Sequence, residues 1–579
     1  MAVPPRKKPL AAPPRKLTVV KKKGMAVTSE EIGSGTKKRV VKKPVAKASA
    51  SATKAKRSAN ETLSTARTLT PELIKHKFPD NFAVLDANIE VRTLDNYTDE
   101  ALFNYGSYVV ENRAIPDLRD GLKPSHRAML WSAIGHRPGT PFAKSARVVG
   151  KAIGEFHPHG DIACYEAGVT IANANPPLLE GKGNFGSPVD PAAAMRYSEM
   201  RMSQFSHLFM LDSGYLKAVP MVDNFSLDTK WPLYVPALLP TLLLAGNPTI
   251  PAYGVSAGNP SFELKGVADI VLHGLMGKEI TTDLVMKHLK VAHRFGTKCI
   301  DNEAHMKHFY GTGKGSLHYE PDMHVDYKTK RIIIQNYVPR TMANAASTAA
   351  RMQEIAAMKG VSSVSDSSSS KNPLAGPYAC AIEVEVGRGV NEDAFYDLAR
   401  SIQRKLNGVE AYDLGVVVRY ADQDKKTRFA RMNFAQFFRQ WIIYRVNLET
   451  RYLNVLLEAA QSVLHVLEGK IKVCASKQAL DRAIHLIRTA SDPKAALMKE
   501  FKLSDAQTEA ILSTQLRSLA KLALEDLKNS AQAKREEIKD INGRIAAPGK
   551  SAAADLKKRL ATYLKKPDLT VSGIPVMQG

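Results

Sequence analysis

The sequence predicts a multidomain α+β protein, and three observations carry that prediction. At 579 residues the chain is longer than one hydrophobic core organises, which points to about two to four domains. Its middle mixes short strand-like runs with helical pieces, and beyond Met432 the pattern changes to long helices. The bulk composition, 44% hydrophobic and 24% charged, is that of a soluble globular protein. The longest apolar stretch, Val235 to Leu244, is cut by Pro236 and Pro240 and is too short to span a bilayer. No membrane partner is expected, and the N-terminus has no apolar signal-peptide core. Cys164, Cys299, Cys380 and Cys474 lie far apart with no CxxC pair, which argues against a disulfide framework or a zinc site and fits a reducing compartment.

Charge organises the N-terminus. Of the net +25, residues 1–60 supply +15, with 17 Lys or Arg against Glu30 and Glu31. Pro, Ala, Lys and Ser dominate there, so the segment cannot bury enough apolar surface to offset its ordering entropy, and residues 1–70 are expected to be a disordered basic tail. Such a tail suits a phosphate-binding arm that acts by releasing counterions, with a solubilising arm or a targeting signal as the alternatives.

Folded sequence is expected from Pro71. Up to Ser213, helical periodicity alternates with Gly- and Pro-rich turns. Strands are predicted at Arg331 to Tyr337 and at Tyr378 to Val386, and a surface loop at the low-complexity run Ser362 to Ser370. Phe434, Trp441, Leu448 and Val455 recur every seven residues, flanked by Phe438, Arg445, Tyr452 and Ala459. That predicts one helix from Asn433 to Leu467, about 50 Å long, packed on a partner helix. Ser504 and Gln507 form a capping-box pattern that opens a helix to Leu519, and a basic helix over Lys521 to Ile545 is placed to run back along the long one.

Several short motifs are set aside. Gly181, Gly183 and Gly186 satisfy GxGxxG, but prolines flank them where a strand and a helix are needed. Gly311 to Ser316 misses the phosphate-loop spacing, and Asp422 and Asp424 sit in a polar, turn-like run. His157 and His159 alone are a weak metal signal, so no metal ligand set is read in this chain. The density of Arg113, Arg119, Lys123, His126 and Arg127 around the turn Asp120 to Pro124 is more telling. Lys144, Arg147 and Lys151 follow on one helical face, then His157 and His159 in a turn before a helix from Asp161. Two helices joined by a tight turn, with cations on one, suit a helix-turn-helix or winged-helix nucleic-acid reader; a charged solvent face is the alternative.

The run Arg113-Ala-Ile-Pro-Asp-Leu-Arg-Asp-Gly-Leu-Lys-Pro-Ser-His-Arg127 closely resembles the signature of the A subunits of DNA gyrase and topoisomerase IV. So do Lys144-Ser-Ala-Arg-Val-Val-Gly150, His157-Pro-His-Gly-Asp161, Gly181-Lys-Gly-Asn-Phe-Gly-Ser187 and Ala192-Ala-Ala-Met-Arg-Tyr-Ser-Glu199. Weaker likeness continues through Leu503 to Leu512 and Gln515-Leu-Arg517, so it covers nearly all of the chain after residue 75. The resemblance implies a winged-helix DNA-gate domain with an N-terminal arm (71–215), an α/β tower domain (216–430), and a long antiparallel coiled coil with a helical C-gate for dimerisation (431–565), before a short tail (566–579).

It also implies that Tyr197, one of 19 tyrosines, is the nucleophile that becomes linked to a DNA 5′ phosphate. Phenols ionise near pH 10 and need electrostatic help to attack phosphorus, which the adjacent Arg196 is placed to give. Arg113 and His159 are implied as catalytic support, and Lys123, His126, Arg127, Lys144, Arg147 and His157 as DNA-binding. Leu239, followed by Pro240, is implied as an apolar wedge that enters a base step, the alternative being a buried core leucine. Mg2+ and ATP are both expected on a separate B subunit, since no ATPase or acidic metal-binding domain is read here. The implied assembly is an A2B2 heterotetramer acting on double-stranded DNA, relaxing and decatenating it without the β-rich wrapping domain that gyrase uses for negative supercoiling. The compact form resembles the topoisomerase subunits of large bacteriophages. The expected location is the cytoplasm or nucleoid, with a virus-infected bacterial host as one option among bacterial, viral and organellar sources and a nuclear address in the tail as the alternative. Ile162 stands where the family commonly has Ser, which with Glu166 would anchor a quinolone's metal–water bridge; weak quinolone sensitivity is expected. The competing function is a non-catalytic DNA-binding or architectural protein of the same fold.

Overall fold

The computed structural model describes residues 94–568, apart from 188, 190, 293–295, 338–344, 369–371, 379, 420–426 and 515–523. The basic tail, the predicted start at Pro71, Asp422 and Asp424, and the end of the helix predicted to reach Leu519 lie outside the described residues.

The helix Leu94–Val109 runs into a π-helical turn at Val110–Ala114. The next helix, Pro124–Ser132, begins with proline, whose missing N–H is no loss at that position. It packs on Asp161–Ala172, with Ser145–Lys151 alongside. A small antiparallel sheet completes the unit, with Glu199–Met202 between Ala143–Lys144 and Leu179–Lys182. The turn before Pro124 depends on glycine. Gly121 has φ +68°, and a Cβ there would stand 2.3 Å from the backbone nitrogen of Leu242.

The middle of the chain forms two larger antiparallel sheets. One has the order Asn247–Ala252, Val255–Asn259, Gly408–Asp413, Lys314–Glu320, Lys298–Cys299. The other has Asp322–Asp326, Arg331–Asn336, Ile382–Val386 and Val361–Asp366 in that order, covered by the helix Glu392–Leu406. Ile332, Ile334, Ile382, Val384, Phe395 and Ile402 give this second sheet its own core. Two expectations are corrected here. The strand predicted from Tyr378 begins at Ile382, because Pro373–Tyr378 is a 3-10 turn. The first half of the loop predicted from Ser362 is strand instead, since Val361–Asp366 is an edge strand paired to Ile382–Val386. Only Val361 and Val364 pack inward, so an exposed edge strand has the composition of a loop.

The predicted long helix spans Phe434–Val473, opened by a complete capping box between Asn433 and Gln436. Its seven-residue seam is buried at Phe434, Trp441 and Leu448, all in the main core, which draws residues from Leu118 to Tyr563. Val455 still packs on that core, and beyond it the buried face changes. Ala459 is exposed, and Leu453, Leu456, Leu457 and Ala460 instead meet Ile538, Ile541 and Ile545 of the helix Leu524–Ala546. The ion pairs Arg535–Glu468 (2.9 Å) and Arg544–Glu449 (3.8 Å) show that the two helices run in opposite directions. Fully buried Arg445 pairs with Glu449 at 3.0 Å, and Glu449 accepts a 2.5 Å hydrogen bond from Tyr215. The Ser504–Gln507 capping box is present and opens Asp505–Leu512.

Candidate active site

Tyr197 ends a turn, its N–H donating to Ala194 O at 2.9 Å, just before the central strand of the small sheet. Its loop is fixed by buried hydroxyls. Ser198 Oγ lies 2.8 Å from Ser145 Oγ and 2.7 Å from Tyr165 Oη, which also donates to Ala193 O at 2.7 Å. Ser145 N–H donates to Ser198 O at 3.0 Å, tying the loop to the start of Ser145–Lys151. Burial pushes the Tyr165 phenol up, so it stays a donor. Gly183, at φ +107°, turns the chain beneath Ser198, and Asn184 O accepts from Ala193 N–H at 3.0 Å. The GxGxxG run is therefore a strand end and a turn that shoulder the tyrosine loop.

The phenol itself is held differently. Tyr197 is 67% exposed, and the Arg196 guanidinium carbon sits 4.6 Å from its ring centroid. Among the described residues no other exposed tyrosine has a guanidinium over its ring. Glu199 is bound by Lys144 (2.9 Å) and Lys182 (3.4 Å), whose hydrogen bonds hold its carboxyl below the usual range. Arg147 is exposed two residues along from Ser145 on the same helix.

A second cationic group lies on two π-helical turns, a distortion frequent at functional sites. Arg113 is exposed on Val110–Ala114, and His157 follows Ala152–Phe156. The His157 and His159 rings stack at 4.1 Å. Burial, then His159 and Arg113, lower His157 to about 4; burial, then Lys123 and Arg127, lower His126 to about 3. Lys123 has a buried stem, which lowers its ammonium to about 8, and no acidic partner among the described residues. Both histidines bind fewer protons folded than unfolded. Their contribution to stability is present above the unfolded value near 6.5 and is lost as pH falls toward 4. The urea midpoint is expected to drop over that window and His157→Gln to flatten part of the drop; an unchanged pH dependence in the variant would remove His157 from this account.

Two expected DNA contacts are corrected. Arg127 is buried and committed to Asp120 through bonds of 2.6 and 3.0 Å, while Asp120 also accepts from Leu122 N–H (3.0 Å) and Val235 N–H (3.1 Å). Leu239 is fully buried in the main core and does not present a wedge. Sequence reasoning also missed two features. Ser145 and Ser198 lie inside quoted motifs and Tyr165 outside them, but no spacing showed that the three join to fix the tyrosine loop. Asp301, His305 and His318, with candidate ligand atoms all within 4.8 Å, come together only through folding.

The site is thus an exposed phenol under a guanidinium, on a loop flanked by Lys144, Arg147 and Lys182. The family model for the A subunits of DNA gyrase and topoisomerase IV matches residues 113–557, and the chain belongs to that family. It is 31% identical over 480 residues to the A subunit of DNA topoisomerase 4 from Escherichia coli K12, covering 79% of this chain and 59% of that protein. The corresponding topoisomerase 4 protein of Haemophilus influenzae is 31% identical over 497 residues (83% and 61%), and the gyrase A protein of Helicobacter pylori 30% over 477 (80% and 55%). The chain thus spans about 60% of the length of these relatives. Among the described residues no helix is long and apolar enough to cross a membrane.

Proposed function

We propose that this chain is the breakage-and-reunion subunit of an ATP-dependent type IIA topoisomerase, with Tyr197 as nucleophile. The exposed Tyr197 ring beneath Arg196, on a loop fixed by Ser145, Tyr165 and Ser198, is the observation that carries the reading. The phenolic oxygen attacks a backbone phosphorus, the bond to the 3′ oxygen breaks, and that oxygen leaves as a 3′ hydroxyl after taking up a proton. Arg196 stabilises the phenolate and the charge gathering on the phosphoryl oxygens. The phosphotyrosyl link keeps the energy of the broken bond, so the reverse attack reseals the strand.

Arg113 and His159 support the reaction, and Lys123, His126, Lys144, Arg147 and His157 grip the duplex. Exposed Arg147 meets phosphate on this reading, so Arg147→Ala lowers the slope of log affinity against log salt by about 0.9; an unaltered slope would remove it from the interface. Mg2+ and ATP belong to a separate B subunit, the metal supplying charge stabilisation at the reacting oxygens. The tyrosine loop itself offers Glu199, which Lys144 and Lys182 already hold. The assembly is A2B2, with 71–215 as the arm and winged-helix cleavage domain, 216–430 as the tower, and 431–565 as the coiled coil and dimerising C-gate. It works in the cytoplasm or nucleoid.

Ile162 is 70% exposed at the second position of Asp161–Ala172, one turn from exposed Glu166. Ile162→Ser restores one hydrogen-bonding group, so the quinolone concentration that traps half the cleavable DNA is expected to fall about tenfold, the worth of one hydrogen bond. Equal sensitivity would unlink Ile162 from drug response. The function itself is tested with plasmid and linked circles, using the full chain, its B partner, ATP and Mg2+. Relaxation and decatenation support it. Intact DNA binding without either, with a competent B partner, favours the architectural reading, and net negative supercoiling would overturn the proposed outcome of the reaction.

A further inference from the structure

We propose that Asp301, His305 and His318 form a binding site for Zn2+, separate from the tyrosine loop. The three arrive from different elements. Asp301 follows the edge strand Lys298–Cys299, His305 lies in the first turn of the helix Glu303–Thr312, and His318 is on the strand Lys314–Glu320. Their backbones are held independently of any ion. Lys298–Cys299 pairs with Lys314–Glu320, Ile300 N–H donates to His318 O at 3.0 Å, and the side chain of Asn302 caps the helix by accepting from His305 N–H at 2.9 Å. Asp301 Oδ2 accepts from His318 N–H at 2.7 Å, which orients the carboxylate.

The other oxygen, Asp301 Oδ1, is where both imidazoles converge. His318 Nδ1 is 2.7 Å from it and His305 Nε2 3.7 Å. Ligands about 2.0–2.1 Å from a tetrahedral zinc stand about 3.3 Å apart, so these separations bracket a coordinated set. The His305 Nε2 is oriented by Ser316 O at 2.7 Å, and that orientation leaves it 3.7 Å from the same Asp301 Oδ1 that His318 reaches. Without an ion the nitrogens keep protons, shared by His318 with Asp301 and by His305 with Ser316 O at 2.7 Å. Zinc takes the lone pair of each facing nitrogen, with the ring proton carried on the other nitrogen of the imidazole. The ligand types select the ion. Two imidazoles and a carboxylate suit zinc, whereas Mg2+ and Ca2+ prefer oxygen-only sets. Cys299 Sγ donates to Asp301 Oδ2 at 3.5 Å and helps to hold the carboxylate. Asp301 is nearly buried, with its side chain 6% exposed, while the histidines at 38% and 45% leave an entry path. A bound ion would clip the edge strand and the helix onto the sheet.

The test uses the full chain, stripped with chelator and dialysed against graded Zn2+, with bound metal measured by atomic emission. One equivalent of tight zinc is expected in the wild type and in His308→Ala/His324→Ala. Affinity for that equivalent is expected to fall by on the order of 100-fold or more in His305→Ala/His318→Ala. No tight equivalent in the wild type, or an equal one in the site variant, overturns the proposal. Co2+ added to the unmodified chain tests it without a variant. Intense tetrahedral-type visible absorption supports the site, and a weak octahedral-type spectrum contradicts it.

Discussion

Tyr197→Phe is expected to reduce DNA strand cleavage by on the order of 10⁴-fold or more, to the background of the uncatalysed reaction. The substitution removes one oxygen and little else. Among the described residues Tyr197 Oη has no hydrogen-bond partner, and the ring is 67% exposed, so folding loses neither a bond nor packing. Phe keeps the ring beneath Arg196, and the Ser145–Ser198–Tyr165 hydroxyls that set the loop are untouched. DNA affinity and its salt dependence are therefore expected to stay at wild-type values while cleavage disappears. A parallel loss of affinity and cleavage would instead make Tyr197 a binding residue. Cleavage left intact would move the chemistry elsewhere.

The largest expected effect on stability is at Asp120. Asp120→Ala leaves the Arg127 charge buried without its counterion and strips the Leu122 and Val235 N–H groups of their acceptor. Removing one partner of a buried pair costs about 3–5 kcal/mol, well above the fraction of a kcal/mol that an exposed pair such as Lys144–Glu199 is worth. The midpoint of the first unfolding transition is expected to fall accordingly. Asp120→Ala/Arg127→Met, which removes both charges, is expected to recover a large part of the loss. If Asp120→Ala alone unfolds like the wild type, the pair is not what secures this turn.

What could be read before the fold was known follows from where the information sits. Local signals survived. The Ser504–Gln507 capping box depends on side chains three residues apart, and the helix Asp505–Leu512 starts there. The seam at Phe434, Trp441 and Leu448 also reads directly, because it faces one continuous core. Its flank failed at Ala459, which is exposed where a different face of the helix meets Leu524–Ala546. Burial of polar residues was hidden for a similar reason. Arg127 sits among cations in sequence, and only Asp120, seven residues earlier and enclosed by the Val235 segment, explains its orientation. Leu239 beside Pro240 looks like an exposed apolar turn until the main core closes over it. Tyr197 and Arg196 were legible through resemblance to a family. The loop that presents them was not, since Ser145, Tyr165 and Ser198 are common residues joined across 33 and 53 positions. The Asp301, His305 and His318 trio was illegible because a strand pair and a helix start must form before the three meet.

The central claim is that Tyr197 forms a covalent link to DNA, and it is tested most directly by locating that link. The wild-type chain is mixed with its B partner, Mg2+ and plasmid, stopped with denaturant, digested with nuclease and protease, and searched by mass spectrometry for a nucleotide-bearing peptide. The predicted result is a 5′-phosphoryl nucleotide on Tyr197 within Met195–Arg201 and free 3′ hydroxyls on the broken DNA. A nucleotide on another residue, or cleaved DNA with no protein attached, would contradict it.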